Sequence, residues 1–272
     1  MRVQVLGLLR FSYPSVYNKR GLDDFEAYRR SLYDPQRLAR RLVWFRHVVL
    51  PSLANQSDQD FDCVLLVGDQ LPQPFRDALA AMVAEVPQVK ICWEEEGQRH
   101  RLAIKKLVEG HSDRKADYVA EMQLDDDDAL GRDVVARTRA HGAEMAGHLA
   151  DHQWATLDFL KGLVLQMGPE GHAVRAAHCP LWTPALMTFR RPGTPTMIRR
   201  MSHLDLWKVM PVVSRPDPLM WVRGAHEDNA SNFLNRWERH CLDEDLADVP
   251  RLMSQEFGID LAAMQAERRA AG

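Results

Sequence analysis

Apolar positions follow two rhythms along the first 130 residues. Four short runs, VQVLGLL (Val3–Leu9), FDCVLLVG (Phe61–Gly68), VKICWEE (Val89–Glu95) and YVAEMQL (Tyr118–Leu124), have the length and residue types of strands. Between them apolar residues recur at steps of three and four. Within Pro35–Leu53 these are Leu38, Leu42, Phe45 and Val49, with Trp44 and Val48 beside them. Pro74–Val86 and His100–Ser112 carry the same rhythm, and all three segments predict helices. Strands separated by helices of this length imply βαβ units and a mostly parallel sheet, an α/β fold with helices flanking it.

Beyond Gly131 the rhythm is less regular. The pattern predicts a helix over Arg132–Ala150 and a pair of strands in Trp154–Gly168 with a turn near Lys161–Gly162. An irregular stretch with short strands follows over Gly168–Arg191, then a helix over Thr194–Trp207, a loop-rich return over 214–226 and an amphipathic segment over Asn229–Asp243. Gln255–Ala271 reads as an exposed terminal helix, free to fray or to dock on a partner. With no repeat or linker, the expectation is a single domain in three stretches, 1–130, 131–242 and a helical tail over 243–272.

Composition narrows the function classes. A chain of 272 residues that is 46% hydrophobic and 27% charged buries a full core. A net charge of −3, with both signs mixed, gives no uniform positive field for nucleic acid. No apolar run reaches the roughly 20 residues of a membrane span, and the N-terminal apolar stretch, interrupted by Arg10 and lacking a cleavage site, reads as a strand. Cys63, Cys92, Cys179 and Cys241 are scattered without ligand spacing, which fits a reducing, cytoplasmic setting. RRPGTPTMIRR (Arg190–Arg200) reads by default as a solvated loop, but its basic ends also suit an anionic acceptor, a diphosphate or lipid head groups, and so peripheral contact at a membrane.

The sharpest chemical signal is the run Asp125–Asp128 directly after the fourth strand. Most acidic runs are solvated loops. Four carboxylates at a buried strand end repel one another unless something positive binds there. Alternate residues share a face, so Asp125 and Asp127 point together, a pair that suits one hard divalent cation with positions left for phosphate oxygens.

Taken in order, RFS at the end of the first strand, LPSLANQSDQDF, LDDDDAL and WVRGAHEDNASN (Trp221–Asn232) resemble the rhamnosyltransferase family of bacterial glycosyltransferases over roughly residues 1–240. That resemblance implies a GT-A-like nucleotide-diphospho-sugar transferase fold, with 1–130 as its nucleotide-sugar-binding half and 131–242 as its acceptor-side half, and a strand-end DxD motif holding Mn²⁺ or Mg²⁺ against the donor's diphosphate. Carried over, Asp127 is the metal ligand and Asp125 contacts ribose or a metal-bound water. Asp126 can replace either after a one-residue slip. His226 is the matching C-terminal metal ligand, with Asn229 and Asn232 fixing its loop. Arg10 and the helix residues Arg101, Lys105 and Lys106 are candidates to compensate the diphosphate, and Asp69 to meet the nucleobase. A catalytic base is sought among Glu227, Asp228 and Asp205, with Asp205 favoured for its apolar surroundings. Trp182, His203 and Trp221 are candidates to line the acceptor side.

The implied activity is metal-dependent transfer of a sugar, rhamnose by the family's description, from a nucleoside-diphosphate donor to a saccharide or other hydroxyl acceptor. Strand-end aspartates also suit a nucleotidyltransferase or phosphohydrolase, and a binding module without turnover is the third reading.

Overall fold

The computed structural model describes residues 1–16, 24–168, 171–216, 218–226, 229 and 237–271. Strand β1 (Val3–Phe11) leads to helices α1 (Phe25–Leu32) and α2 (Pro35–Trp44). Helix α2 starts where the Asp34 side chain accepts the Arg37 backbone N–H at 2.9 Å, with Pro35 in the first turn. It continues through a wide π turn (Phe45–Val49) into α3 (Leu50–Ala54). The long helical segment expected from the apolar rhythm is therefore present, with a bulge in its middle. Its two apolar sets serve two cores. Leu38, Leu42, Phe45 and Val49 pack in the larger cluster, whereas Val43, Trp44 and Val48 pack in a second.

The expected alternation follows as β2 (Asp62–Gly68), α4 (Gln73–Val83), β3 (Val89–Glu94), α5 (His100–Gly110) and β4 (Tyr118–Leu124). A short strand β5 (Ala129–Leu130) closes the aspartate turn. Arg132–Ala150 divides into α6 (Val134–Ala140) and α7 (Gly142–His148), then β6 (Trp154–Phe159), β7 (Lys161–Met167), β8 (His172–His178) and β9 (Leu186–Arg190) follow. Where a helix was expected over Thr194–Trp207, only a 3₁₀ turn forms, at His203–Lys208. Strands β10 (Val212–Arg215) and β11 (Trp221–Ala225) precede helices α8 (Val249–Phe257) and α9 (Leu261–Ala271).

Seven strands form a sheet in the order β10-β6-β9-β4-β1-β2-β3. β1 runs parallel to β2 and β4, and β2 runs parallel to β3. The antiparallel β9 joins β4 to β6. A second sheet has the order β5-β11-β7-β8. The mostly parallel sheet expected from the sequence is thus present, with one antiparallel strand inserted.

Three further expectations for the second half need correction. The return over 214–226, expected to be loop-rich, carries the end of β10 and all of β11. Trp154–Gly168 is not a hairpin: β6 belongs to the large sheet and β7 to the small one, with Leu160 carrying the chain across. Each strand finds its partners elsewhere, so no turn at Lys161–Gly162 is needed. Nor is the tail an exposed helix. Met253, Phe257, Ile259, Leu261 and Met264 are buried with Val43, Trp44 and Val48, and Glu267 meets Arg46 at 2.8 Å and His47 at 2.7 Å. The partner of the tail is this chain's own α2–α3 segment.

Register sets the position of the chemistry. Leu9 pairs with Leu124 across β1 and β4, so Arg10 and Asp125 emerge side by side from the carboxyl ends of adjacent parallel strands. Crevices at that end of an open α/β sheet are where ligands bind.

Candidate active site

The four aspartates leave β4 as a tight turn whose side chains are buried or nearly so, and each has a cationic neighbour. Asp125 takes the guanidinium of Arg10, receives the amide of Gln123 at 3.2 Å and lies 3.9 Å from Arg223. Asp126 meets Nη1 of Arg41 at 3.3 Å. The Oδ2 atom of Asp127 accepts from Arg41 Nη1 at 2.8 Å and from Asn229 Nδ2 at 2.7 Å, and lies 2.9 Å from His226 Nε2. Asp128 accepts the Gly224 backbone N–H at 3.1 Å and Arg223 Nη1 at 3.1 Å.

These surroundings split the four carboxyls by alternate position. Burial raises all of them, but at Asp125 the charges of Arg10 and Arg223 prevail and hold it at about 2. At Asp127 burial is likewise overcome, by Arg41 and the His226 contact, and its carboxyl lies well below the usual range. At Asp126 burial outweighs Arg41, and at Asp128 it outweighs Arg223, so both are raised. The two carboxyls held low, Asp125 and Asp127, are the pair that the strand alternation places together.

Strand β11 builds the other wall. Its Gly224 passes so close to the aspartate turn that an added Cβ would lie 2.3 Å from the Asp127 carbonyl oxygen and 3.0 Å from the Trp44 ring. Two residues on, the His226 ring lies against Trp44 with centroids 4.8 Å apart, and its backbone N–H donates to Asn229 Oδ1 at 2.7 Å. Gly224→Ala should therefore push β11 off the turn. The expected result is a loss of about 1–3 kcal/mol in unfolding free energy, as for overpacking elsewhere, with loss of ligand-induced melting shifts. Denaturant unfolding with and without nucleotide reads both.

A cavity of about 710 Å³ opens over this turn. Asp125, Asp126 and Asp127 line it with six arginines, Arg10, Arg37, Arg41, Arg199, Arg223 and Arg239. Six guanidinium groups against three carboxylates leave a lining suited to an anionic ligand, and arginine grips phosphate through two parallel bonds. Arg10 is itself held: its Nη1 lies 3.3 Å from Nε2 of His100, whose Nδ1 lies 2.7 Å from Ser15 Oγ. Burial and the neighbouring Arg10 push His100 down to about 3, so the ring is neutral and accepts from Arg10. A second cavity of about 1080 Å³ adjoins, sharing Gln123, Thr183, Arg199 and His203 as lining residues.

The sequence candidates divide accordingly. Arg10, Asp125, Asp126, Asp127, Trp182 and His203 line the smaller cavity, and His226 lies against it on Asp127. Arg101 and Lys105 line the larger one, whereas Lys106 points to Glu94 at 3.0 Å. Asp69 is exposed in the turn after β2, its carbonyl accepting from Arg76, and it lines neither cavity. Asp205 was favoured as base, but it is 43% exposed, pairs with Lys208 at 2.6 Å and lines neither cavity. Trp221 is no acceptor-lining residue. It is wholly buried, donates its indole N–H to Phe159 at 2.8 Å and supports Trp182 from beneath at 5.1 Å. Glu227, Asp228 and Asn232 lie outside the described residues.

Two central residues escaped the sequence reading. Arg41 sits three residues after Leu38 and four before Phe45, on the apolar stripe, where only 9% of it is exposed. A cation on an apolar face is itself a signal, because it must be paired inside. Arg223, in a strand-like WVRGA run, carries the same signal more weakly.

The donor set at Asp127 fits a divalent cation. A carboxylate oxygen and an imidazole nitrogen are brought within 2.9 Å, both in side chains almost free of solvent. Nε2 cannot both accept from Arg41 at 3.2 Å and donate to Asp127, and a cation accepting both lone pairs would resolve that competition. No group of three His, Cys, Asp or Glu side chains placed to hold a metal occurs among the described residues, so water or ligand oxygens would complete the shell.

Among solved structures, S. aureus TarS 1–349 is 11% identical, with a TM-score of 0.39, over 81% of this chain and 60% of that one. The same TarS fragment in complex with UDP is 11% identical with a TM-score of 0.37, over 83% and 61%. A longer TarS chain is 10% identical with a TM-score of 0.38, over 83% and 37%. The chain thus spans about three fifths of the TarS fragments, and likeness this distant adds nothing to the geometry. No curated protein matches it. The family model described as putative rhamnosyl transferase matches residues 4–235, the span that carries β1, the aspartate turn and β11. The chain belongs to that family.

Proposed function

We propose that this protein transfers a sugar, rhamnose by its family's description, from a nucleoside-diphosphate donor to a saccharide or other hydroxyl acceptor. The observation that carries the reading is the arginine-lined cavity over the ionised pair Asp125 and Asp127, at the carboxyl ends of β1 and β4. Arg10, Arg223 and Arg199 are placed to meet the diphosphate of a donor in that cavity, and Trp182 offers a ring face for a sugar. Asp127 and His226 would hold a divalent cation, Mn²⁺ or Mg²⁺, which supplies Lewis-acid polarisation and neutralises the leaving diphosphate. The larger cavity, lined by Arg101, Lys105 and Thr188, takes the acceptor.

Free thiols at all four cysteines, with burial pushing Cys63 and Cys179 up to about 12, suit the reducing cytoplasmic setting that the proposal includes. No helix among the described residues is long and apolar enough to cross a membrane.

The test is a set of melting curves with UDP, dTDP, GDP, CDP and ADP, each with and without Mn²⁺. A diphosphate at about 100 times its Kd adds roughly 2.7 kcal/mol to the folded state. A shift for one base, strengthened by Mn²⁺, is the expected result. No shift with any diphosphate would overturn the reading. Release of phosphate or pyrophosphate instead of sugar transfer would replace it with phosphoryl or nucleotidyl chemistry.

A further inference from the structure

Resting on glycosyl transfer as the reaction, we infer that His203 is its general base, taking the acceptor's hydroxyl proton on Nε2 at the junction of the two cavities. His203 is one of four residues that line both cavities, so it stands where a donor on the arginine side meets an acceptor on the other. Its Nδ1 is bonded to the backbone carbonyl of Leu181. A carbonyl only accepts, so Nδ1 carries the proton and the neutral ring presents a bare lone pair at Nε2. That nitrogen has no hydrogen-bond partner among the described residues.

The carbonyl that fixes this tautomer is held in a costly conformation. Leu181 has φ of +59°, in the left-handed region that a branched side chain seldom adopts. Its N–H is pinned by buried Asp158 Oδ2 at 3.0 Å, and Ser214 Oγ lies 3.3 Å from the same oxygen. The strained turn continues into Trp182 and Thr183, both of which line the cavity, so it aims a backbone acceptor at His203 while shaping the wall.

Charged groups around the ring favour the neutral form. Burial lowers its affinity for a proton, and Arg223 and Arg199 lower it further, against the Leu181 bond and Asp125, which raise it. On its own 3₁₀ turn, Asp205 and Lys208 neutralise each other at 2.6 Å, and Asp158 stands behind Leu181.

The step balances without a co-reactant. The acceptor oxygen bonds to the anomeric carbon as its proton passes to Nε2. The bond from that carbon to the diphosphate oxygen breaks, and its electron pair leaves on the nucleoside diphosphate. The imidazolium then returns its proton to solvent. A single displacement of this kind inverts the anomeric centre.

The test uses the full chain and His203→Asn. The asparagine amide can keep the bond to Leu181 but has no basic nitrogen. Turnover is followed with UDP-, dTDP- and GDP-sugars, against water and a panel of methyl glycosides. The expected result is a fall in kcat of about 10²–10⁴-fold with the nucleoside-diphosphate melting shift retained. The wild-type rate should rise with pH through a limb below the usual histidine value of about 6.5, and the variant should lack that limb. Asp158 titrates nearby, its carboxyl pushed up by burial to about 6, so Asp158→Asn is run in parallel and should keep the limb.

Unchanged kcat in His203→Asn, or a limb lost only in Asp158→Asn, would overturn the assignment and leave glycosyl transfer standing. Imidazole ¹⁵N spectra of the resting protein report the tautomer independently of activity, and a proton on Nε2 with Nδ1 bare would also overturn it. A wild type that binds no diphosphate and releases no sugar would instead remove the transfer reading itself, and the base with it.

Discussion

Asp127→Asn should lower turnover by at least the 10²–10³-fold seen when one preorganised charge-stabilising group is removed, and should erase the Mn²⁺-dependent part of the diphosphate melting shift. The apo protein should melt within a few degrees of the wild type. The choice of asparagine follows from the contacts. Asp127 Oδ2 is shared by Arg41, Asn229 and His226, all three facing a nearly solvent-free carboxylate. Alanine would take from Arg41 its shorter carboxylate contact and from Asn229 and His226 the oxygen they share, a loss approaching that of a broken buried pair, about 3–5 kcal/mol. Asparagine keeps an acceptor oxygen in place, and Arg41 retains Asp126 at 3.3 Å. What it removes is the charge. Acid cannot do the same job, since arginines keep Asp125 and Asp127 ionised well below the usual carboxylate range. Turnover and melting read together separate the outcomes. Full activity in the variant would mean that Asp127 only supports the turn, and an unfolded variant would mean that its charge is structural.

The first half of the fold was legible because β1, β2 and β4 are buried on both faces and α2, α4 and α5 on one. Continuous apolar runs and three-four spacing then have few other readings, and all four leading strands and the three helices read from that spacing formed where the pattern placed them, whereas α1, which buries no residue, stands where the sequence reads as a polar loop. The second half was harder because strands of two sheets alternate along the chain. Nothing in LDFLKGLVL says that Leu160 marks a change of sheet, since side-chain alternation reports a face and not a partner. The tail was misread for a related reason. Its apolar residues are spaced for burial, but their partner, the second apolar face of α2–α3, looked like flanking residues of a single stripe.

At the site, the aspartate run could be read because repulsion among adjacent carboxylates demands an explanation. What answers it, arginines from α2 and β11, could not be read from spacing. Arg41 and Arg223 lie 86 and 95 positions from the aspartates they meet. The favoured base failed differently. Asp205 has apolar neighbours in sequence, but on a 3₁₀ turn those neighbours, Leu204 and Trp207, are themselves exposed, at 53% and 62%. They shield nothing, while His203 two residues earlier turns inward.

Arg190→Met should destabilise the protein by about 3–5 kcal/mol, the usual cost of stranding one partner of a buried pair. At roughly 2–4 °C per kcal/mol for a chain of this size, the midpoint should fall by about 6–20 °C. Arg190 on β9 and Glu121 on β4 are both essentially without solvent, joined Nε to Oε1 at 2.6 Å across the one antiparallel seam beside β4. Burial raises the Glu121 carboxyl, and Arg190 is the largest influence opposing it, so the variant should leave a glutamic acid that protonates rather than a bare charge. That retreat limits the loss and gives it a sign. With its carboxyl raised in the fold, Glu121 binds a proton on folding, so the deficit should shrink as pH falls and grow as pH rises. The consequence reaches the site, because the other Glu121 oxygen accepts the Thr196 hydroxyl at 2.6 Å, and the Thr196 backbone N–H donates to Glu109 at 3.2 Å. Those two bonds tie down the segment that carries Met197, Ile198 and Arg199 along the larger cavity. Arg190→Met should therefore weaken acceptor saturation more than diphosphate binding, a split that the acceptor KM and the diphosphate melting shift measure separately. A double replacement, Glu121→Leu with Arg190→Met, removes both charges and should recover most of the lost stability while leaving Thr196 held by Glu109 alone and the acceptor KM high. Recovery of both together would mean that the pair serves the sheet alone.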